Sequence, residues 1–222
     1  MGGKGVKENR GMIVLLFFVL GIIAGKICSL YVTRYLKKHE VTETKRVLRT
    51  PVFEIVHGVI WVITRLLGQK GIYTILSCLL LSGLLVVMLV DFWLWEIPPL
   101  CTGLIAGLGL IQIGLDTSVW PLYLAGALWG GGLFLLVYLL TGKRGIGGGD
   151  VKLMAAAGLV LGSPKVLFAM FLGCFFAVFI RLPLKLFRKE NSTFALGPYL
   201  ALGIGGMVWF GDKIVQWEQL LG

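Results

Sequence analysis

Polar and charged positions cut this chain into long apolar runs. A helix that crosses a bilayer needs about 20 mostly apolar residues. Met12 to Tyr31, Ile72 to Val90, Ile97 to Leu115 and Val119 to Leu140 meet or approach that length. Val166 to about Pro183 and Phe194 to Phe210 complete the set, while Pro51 to about Leu67 and Val151 to Gly162 are weaker candidates. The first of this weaker pair carries Glu54, His57 and Arg65, and the second is short. Pro98-Pro99 suits a first helical turn, where the missing N–H groups are not needed. The pattern therefore predicts an all-α, polytopic membrane helix bundle of about eight transmembrane helices. Small residues recur four apart at Gly21–Gly25, Gly103–Gly107, Gly126–Gly130 and Gly158–Gly162. Such pairs let helices approach closely in lipid.

Composition agrees. Of 222 residues, 57% are hydrophobic and 14% charged, against about 45–50% and about 25% in a soluble domain. Soluble enzyme, disordered tail and disulfide-stapled scaffold are excluded as classes. The net charge is +10, but the basic residues sit in short loops, so topology explains them before nucleic acid does. Counting the Arg34–Thr50 loop as cytoplasmic puts 13 of the 21 Lys and Arg on that side and 7 outside, with Lys26 inside the first run. The positive-inside rule favours that orientation, and the same loops suit anionic lipid. Lys4, Lys7 and Arg10 before an apolar run imitate a signal peptide, but the run is long and no A-x-A-like site follows, so a retained helix is expected. Cys28, Cys78, Cys101 and Cys174 form no CxxC pair, and buried inert thiols are expected.

This layout puts Asp91 and Asp150, 59 residues apart in sequence, at the same cytoplasmic boundary. Ionisable groups in spanning segments are functional candidates, though a boundary carboxylate can also reach water. Asp150 ends a glycine-rich turn, Gly145-Ile146-Gly147-Gly148-Gly149. Irregular backbone at membrane depth is tolerated where protein buries it or a watery cavity meets it. The bland alternative is a flexible loop with Asp150 as a helix cap. Asp116 and Asp212 read as solvated charges, and Glu96 as a solvated or loop-closing acid rather than a catalytic one. Glu54 and His57 have the E-x-x-H spacing of di-iron bundles, but in one copy only, so a buried polar contact is the simpler reading. Tryptophans near segment ends, Trp93, Trp95, Trp209 and Trp217, read as interfacial anchors.

Gly147-Gly148-Gly149-Asp150-Val151-Lys152 resembles the GxGD motif of membrane aspartic proteases as extended in the type 4 prepilin peptidase family. Asp91, six residues before Ile97-Pro98, resembles that family's first catalytic motif. Pro51-Val52-Phe53-Glu54 is similar to the start of its second helix, and Phe194 to Gly203 to its closing Phe-Gly-Pro-Phe helix. The resemblance runs from about Pro51 to Gly205. It implies catalytic Asp91 and Asp150, supported by Gly147, Gly149, Lys152, Ile97 and Pro98. It also implies a membrane-embedded aspartic peptidase bundle over residues 51–222, preceded by a reduced N-terminal region, residues 1–50. There are departures. The first loop lacks the two CxxC pairs that members often carry with zinc, Gly25-Lys26-Ile27-Cys28-Ser29 replaces Gly-Ser-Phe-Leu-Asn, and Pro99 follows Ile97-Pro98.

What the resemblance implies is an endopeptidase that removes the basic leader of type IV prepilin or pseudopilin precursors. Its active site would face the cytoplasm from the cell (inner) membrane. Two carboxyl groups about 3 Å apart share one proton, and such a pair needs neither metal nor cofactor. S-adenosylmethionine enters only if the family's methyl transfer to the new N-terminus is retained. The alternatives are a preflagellin-type specificity, a proton-coupled transporter using both aspartates, and a catalytically silent scaffold.

Overall fold

The computed structural model describes residues 3–40, 51–67, 71–142, 145–188 and 195–221. The loop residues Lys45, Arg46, Arg49, Lys70, Lys143, Arg144 and Lys189, and Phe194 of the closing segment, lie outside them. The described residues form eight α-helices and no strand: α1 (Gly3–Lys38), α2 (Val52–Leu67), α3 (Ile72–Leu94), α4 (Pro99–Leu115), α5 (Trp120–Leu140), α6 (Gly148–Leu161), α7 (Ser163–Arg188) and α8 (Gly197–Leu221). A short 3-10 turn, Thr117–Val119, leads into α5. There, Asp116 accepts the Ser118 N–H at 3.2 Å.

The protein is an all-helical, multi-pass membrane bundle. Among the described residues, four stretches are long and apolar enough to cross a bilayer: Gly11–Lys38, Ile72–Leu94, Thr117–Leu140 and Ser163–Ile180. Helices α2, α4 and α6 have 16, 17 and 14 residues, short of the about 20 that a perpendicular crossing takes. Helix α8 is longer, but glycines, Asp212 and Lys213 dilute its apolar character. Exposed Leu15, Leu128, Leu140 and Phe171 are what lipid, rather than water, accepts as a surface. Several helices overrun their apolar runs. α1 continues through Arg34, Lys37 and Lys38, because long polar side chains are good helix formers.

The chain divides into two compact units, Met1–Ser82 and Gly83–Gly222, with the boundary inside α3. In the first, α1 and α2 touch backbone to backbone. A Cβ on Gly21 would stand 2.8 Å from the Gly58 Cα, and one on Gly25 would stand 2.9 Å from the Glu54 Cα. Glu54 and His57 are buried there. Lys26 approaches Glu54 Oε1 at 3.5 Å, and His57 Nδ1 lies 2.9 Å from the Phe53 carbonyl oxygen. The expected buried polar contact is what the structure contains. Trp61 donates its indole N–H to Ser82 Oγ at 2.9 Å, tying α2 to the middle of α3.

In the second unit the same device joins α5 to α6. A Cβ on Gly158 would overlap the Gly126 backbone, and one on Gly130 would stand 2.6 Å from the Met154 carbonyl oxygen. The Gly103–Gly107 pair does not act this way, since nothing lies within 4 Å of a Cβ at either position. Asp212, expected to be solvated, pairs instead with Lys165 across α7 and α8. Cys78 and Cys101 are buried, but Cys174 is exposed on α7. Gly158→Ala is expected to destabilise the protein by about 1–3 kcal/mol through overpacking, whereas Gly107→Ala is not. Thermal loss of the monodisperse species in detergent separates the two.

Candidate active site

The second unit brings Asp91 and Asp150 to one cavity of about 240 Å³. Asp91 sits in the last turn of α3 and is buried. Its Oδ2 accepts the backbone N–H of Gly197, the first residue of α8, at 2.9 Å. Asp150 is the third residue of α6 and is also buried. Its Oδ2 accepts the N–H of Gly147 at 3.1 Å, closing the glycine turn onto the start of the helix. Asp150 is therefore neither in a flexible loop nor at the cap position. It lies inside the first turn, where a carboxylate stabilises free N–H groups. The two carboxyl groups are near enough for the charge of one to act on the other.

The neighbouring motif residues have physical reasons. Ile97 is buried and packs on Gly149, where a Cβ would stand 3.1 Å from the Ile97 Cβ. The α3–α4 loop and the α6 turn are thus fitted to each other. Pro98 does not line the cavity. Its carbonyl accepts from Cys101 and Thr102 at 3.0 and 3.3 Å, which starts α4, and Pro99 occupies the first helical position. Ile97, Gly147, Gly149 and Lys152 all line the cavity.

Four further residues belong to this place. Trp95 and Thr102 line the cavity, so Trp95 is not merely an interfacial anchor. Trp95 also has φ 55°, a left-handed conformation that a bulky residue rarely adopts. Gly197 holds Asp91 through its amide, across 106 residues of sequence. Only the glycine of the closing segment hinted at that position, and nothing local in the sequence points to Asp91 as its partner. Glu96 lines the cavity as well, with an exposed side chain. The Glu54–His57 pair belongs to the other unit and is absent from this lining.

The sequence pattern of the type IV leader peptidase family matches residues 78–182, a stretch that contains both aspartates and the whole glycine turn. The prepilin leader peptidase/N-methyltransferase of Aeromonas hydrophila is 29% identical over 180 residues, covering 76% of this chain and 61% of its own. The protein of that name from Neisseria gonorrhoeae is 32% identical over 184 residues, covering 80% and 63%. Over residues 78–182 the chain is similar to the type IV leader peptidase family. The Escherichia coli (strain K12) protein of the same name is 35% identical over 140 residues, covering 56% of this chain and 60% of its own length. The chain thus spans about three fifths of the length of these relatives. No solved structure matches it significantly. These relatives do not favour the transporter alternative.

Proposed function

We propose that this chain is a membrane aspartic endopeptidase that removes the basic leader of type IV prepilin or pseudopilin precursors. The observation that carries the reading is the meeting of Asp91 and Asp150 in one cavity, each with one oxygen engaged by a backbone N–H and the other left for substrate or water. The names of the relatives supply the substrate class. The peptidase bundle comprises residues 51–222, with residues 1–50 as the first helix and its basic loop. The working membrane is the cytoplasmic one, with the cavity facing the cytoplasm and the substrate's apolar helix in the bilayer.

Amide hydrolysis needs an activated water, stabilisation of the oxyanion and a proton for the leaving nitrogen. A carboxyl pair sharing one proton supplies all three. The ionised carboxylate removes a proton from water as it attacks the carbonyl carbon. The protonated partner hydrogen-bonds the carbonyl oxygen. The proton taken from water then passes to the leaving nitrogen as the C–N bond breaks. The pair titrates as a unit, so neither aspartate is assigned a fixed role. The scissile bond must be locally extended, because a helix keeps its peptide groups in its own hydrogen-bonded ladder.

Methyl transfer, the second activity in the relatives' printed name, would use S-adenosylmethionine. The cavity of about 240 Å³ falls below the about 300–1,000 Å³ of pockets that enclose such ligands. A cavity of that size does not fit that group.

The test is co-expression with a prepilin-type precursor, followed by gel mobility and mass measurement of the new N-terminus. Leader loss is expected, and an intact precursor would reject the reading. Because the proposed chemistry runs on carboxyl groups alone, leader removal by the purified protein is expected to stay within about twofold when EDTA is added. A chelator-sensitive rate would point to a different mechanism.

A further inference from the structure

We propose that Glu96 selects the positive charge of the leader, holding a substrate Lys or Arg side chain at the mouth of the cavity. The inference deepens the peptidase reading above and rests on it. Three carboxylates line this cavity. Asp91 and Asp150 are buried and each accepts a backbone N–H. Glu96 is exposed and takes no hydrogen bond or ion pair from any described residue. An anion at a catalytic cavity with no partner of its own is available to a cationic ligand.

Its position is fixed by its neighbours. The Trp95 N–H bonds the Asp91 carbonyl at 2.9 Å, so the loop leaves directly from the turn that carries the acid. Trp95 then takes its left-handed conformation, φ 55°, which needs support from surrounding structure. Ile97 is buried beyond it, and Pro98 and Pro99 restrict the backbone. Glu96 is thus held on a short, stiff connection. Trp95 is 55% exposed and lines the same cavity, so an aromatic side chain and the carboxylate share its wall. That combination suits an ammonium or guanidinium group.

Charge sets the direction of the peptide. The chain as a whole carries +10 and repels a basic leader at long range. Within the cavity the cation is Lys152, from α6, exposed and without an ion pair among the described residues. A positive leader therefore lies toward the α3–α4 loop and away from α6. By the orientation argued from loop charge, the α3–α4 loop is on the cytoplasmic side, where the leader is.

The experiment measures kcat and KM of the full-length protein in detergent on two precursors, one with its native basic leader and one with the leader Lys and Arg replaced by Gln. Glu96→Gln is expected to raise KM for the basic leader about fivefold at low salt. It should leave KM for the neutral leader unchanged and move neither kcat more than twofold. Glu96→Lys is expected to raise KM for the basic leader further and to favour a leader carrying Glu in place of its bases. Raising ionic strength should weaken wild-type binding of the basic leader more than that of Glu96→Gln. An equal loss on both leaders, a loss confined to kcat, or no change on either would overturn the role given to Glu96. Failure of the wild type to cut either leader would instead overturn the peptidase reading, and this inference with it.

Discussion

Asp150→Asn and Asp91→Asn are each expected to lower the rate of leader removal by at least about 10³-fold while the protein still inserts and elutes as one species. The size follows from what is lost. General acid–base catalysis contributes typically about 10²–10⁴-fold, and an amide can neither take the proton from water nor return it to the leaving nitrogen. Asparagine is close to isosteric with aspartate, and its carbonyl oxygen can still accept the Gly147 or Gly197 N–H. The fold is therefore expected to survive. Either variant alone should be as inactive as the double variant, because the two carboxyl groups act as one unit. Measuring leader loss beside gel filtration of the same sample decides the matter. More than a few per cent of wild-type rate in either single variant would remove the pair from the mechanism.

Gly197→Ala is the second large effect. An added Cβ would lie 2.6 Å from Asp91 Oδ2 and 2.9 Å from its Cγ. Real Cβ atoms do not approach so closely, so Asp91 must rotate or the start of α8 must retreat. Either movement breaks the 2.9 Å hydrogen bond from the Gly197 amide. Displacing a reacting group by about 1 Å costs about 10²-fold in rate, and a fall of that order in kcat is expected. Gly103→Ala is the matched control, since nothing lies within 4 Å of its added methyl. If Gly197→Ala keeps wild-type kcat, or if both variants lose it equally, the amide does not position Asp91.

The two aspartates were legible because each stands in a local pattern. One ends a glycine turn, and the other precedes Ile97-Pro98 by six residues. The helices were legible because apolar runs of that length have few other uses. What was not legible is tertiary. Gly197 looked like part of a closing motif, yet its partner lies 106 residues away. Gly103–Gly107 and Gly126–Gly130 share one spacing in the sequence, but only the second pair meets a neighbouring backbone. Spacing tells which side of a helix is small and not what faces it. The sequence shows Trp95 only as a tryptophan near the end of a span, because backbone φ has no signature in an aromatic residue. Apolar runs do not mark the helix ends where polar residues carry the helix further, as at Lys38.

The amide that fixes Asp91 comes from the start of α8. During synthesis, α3 is completed more than a hundred residues before that donor is made. A nascent chain whose earlier spans are already threaded into the bilayer holds its first acid with one intended donor missing. The surroundings of Asp91 are thus completed only when the final described helix docks, and under the proposed function cleavage of a precursor would await that step.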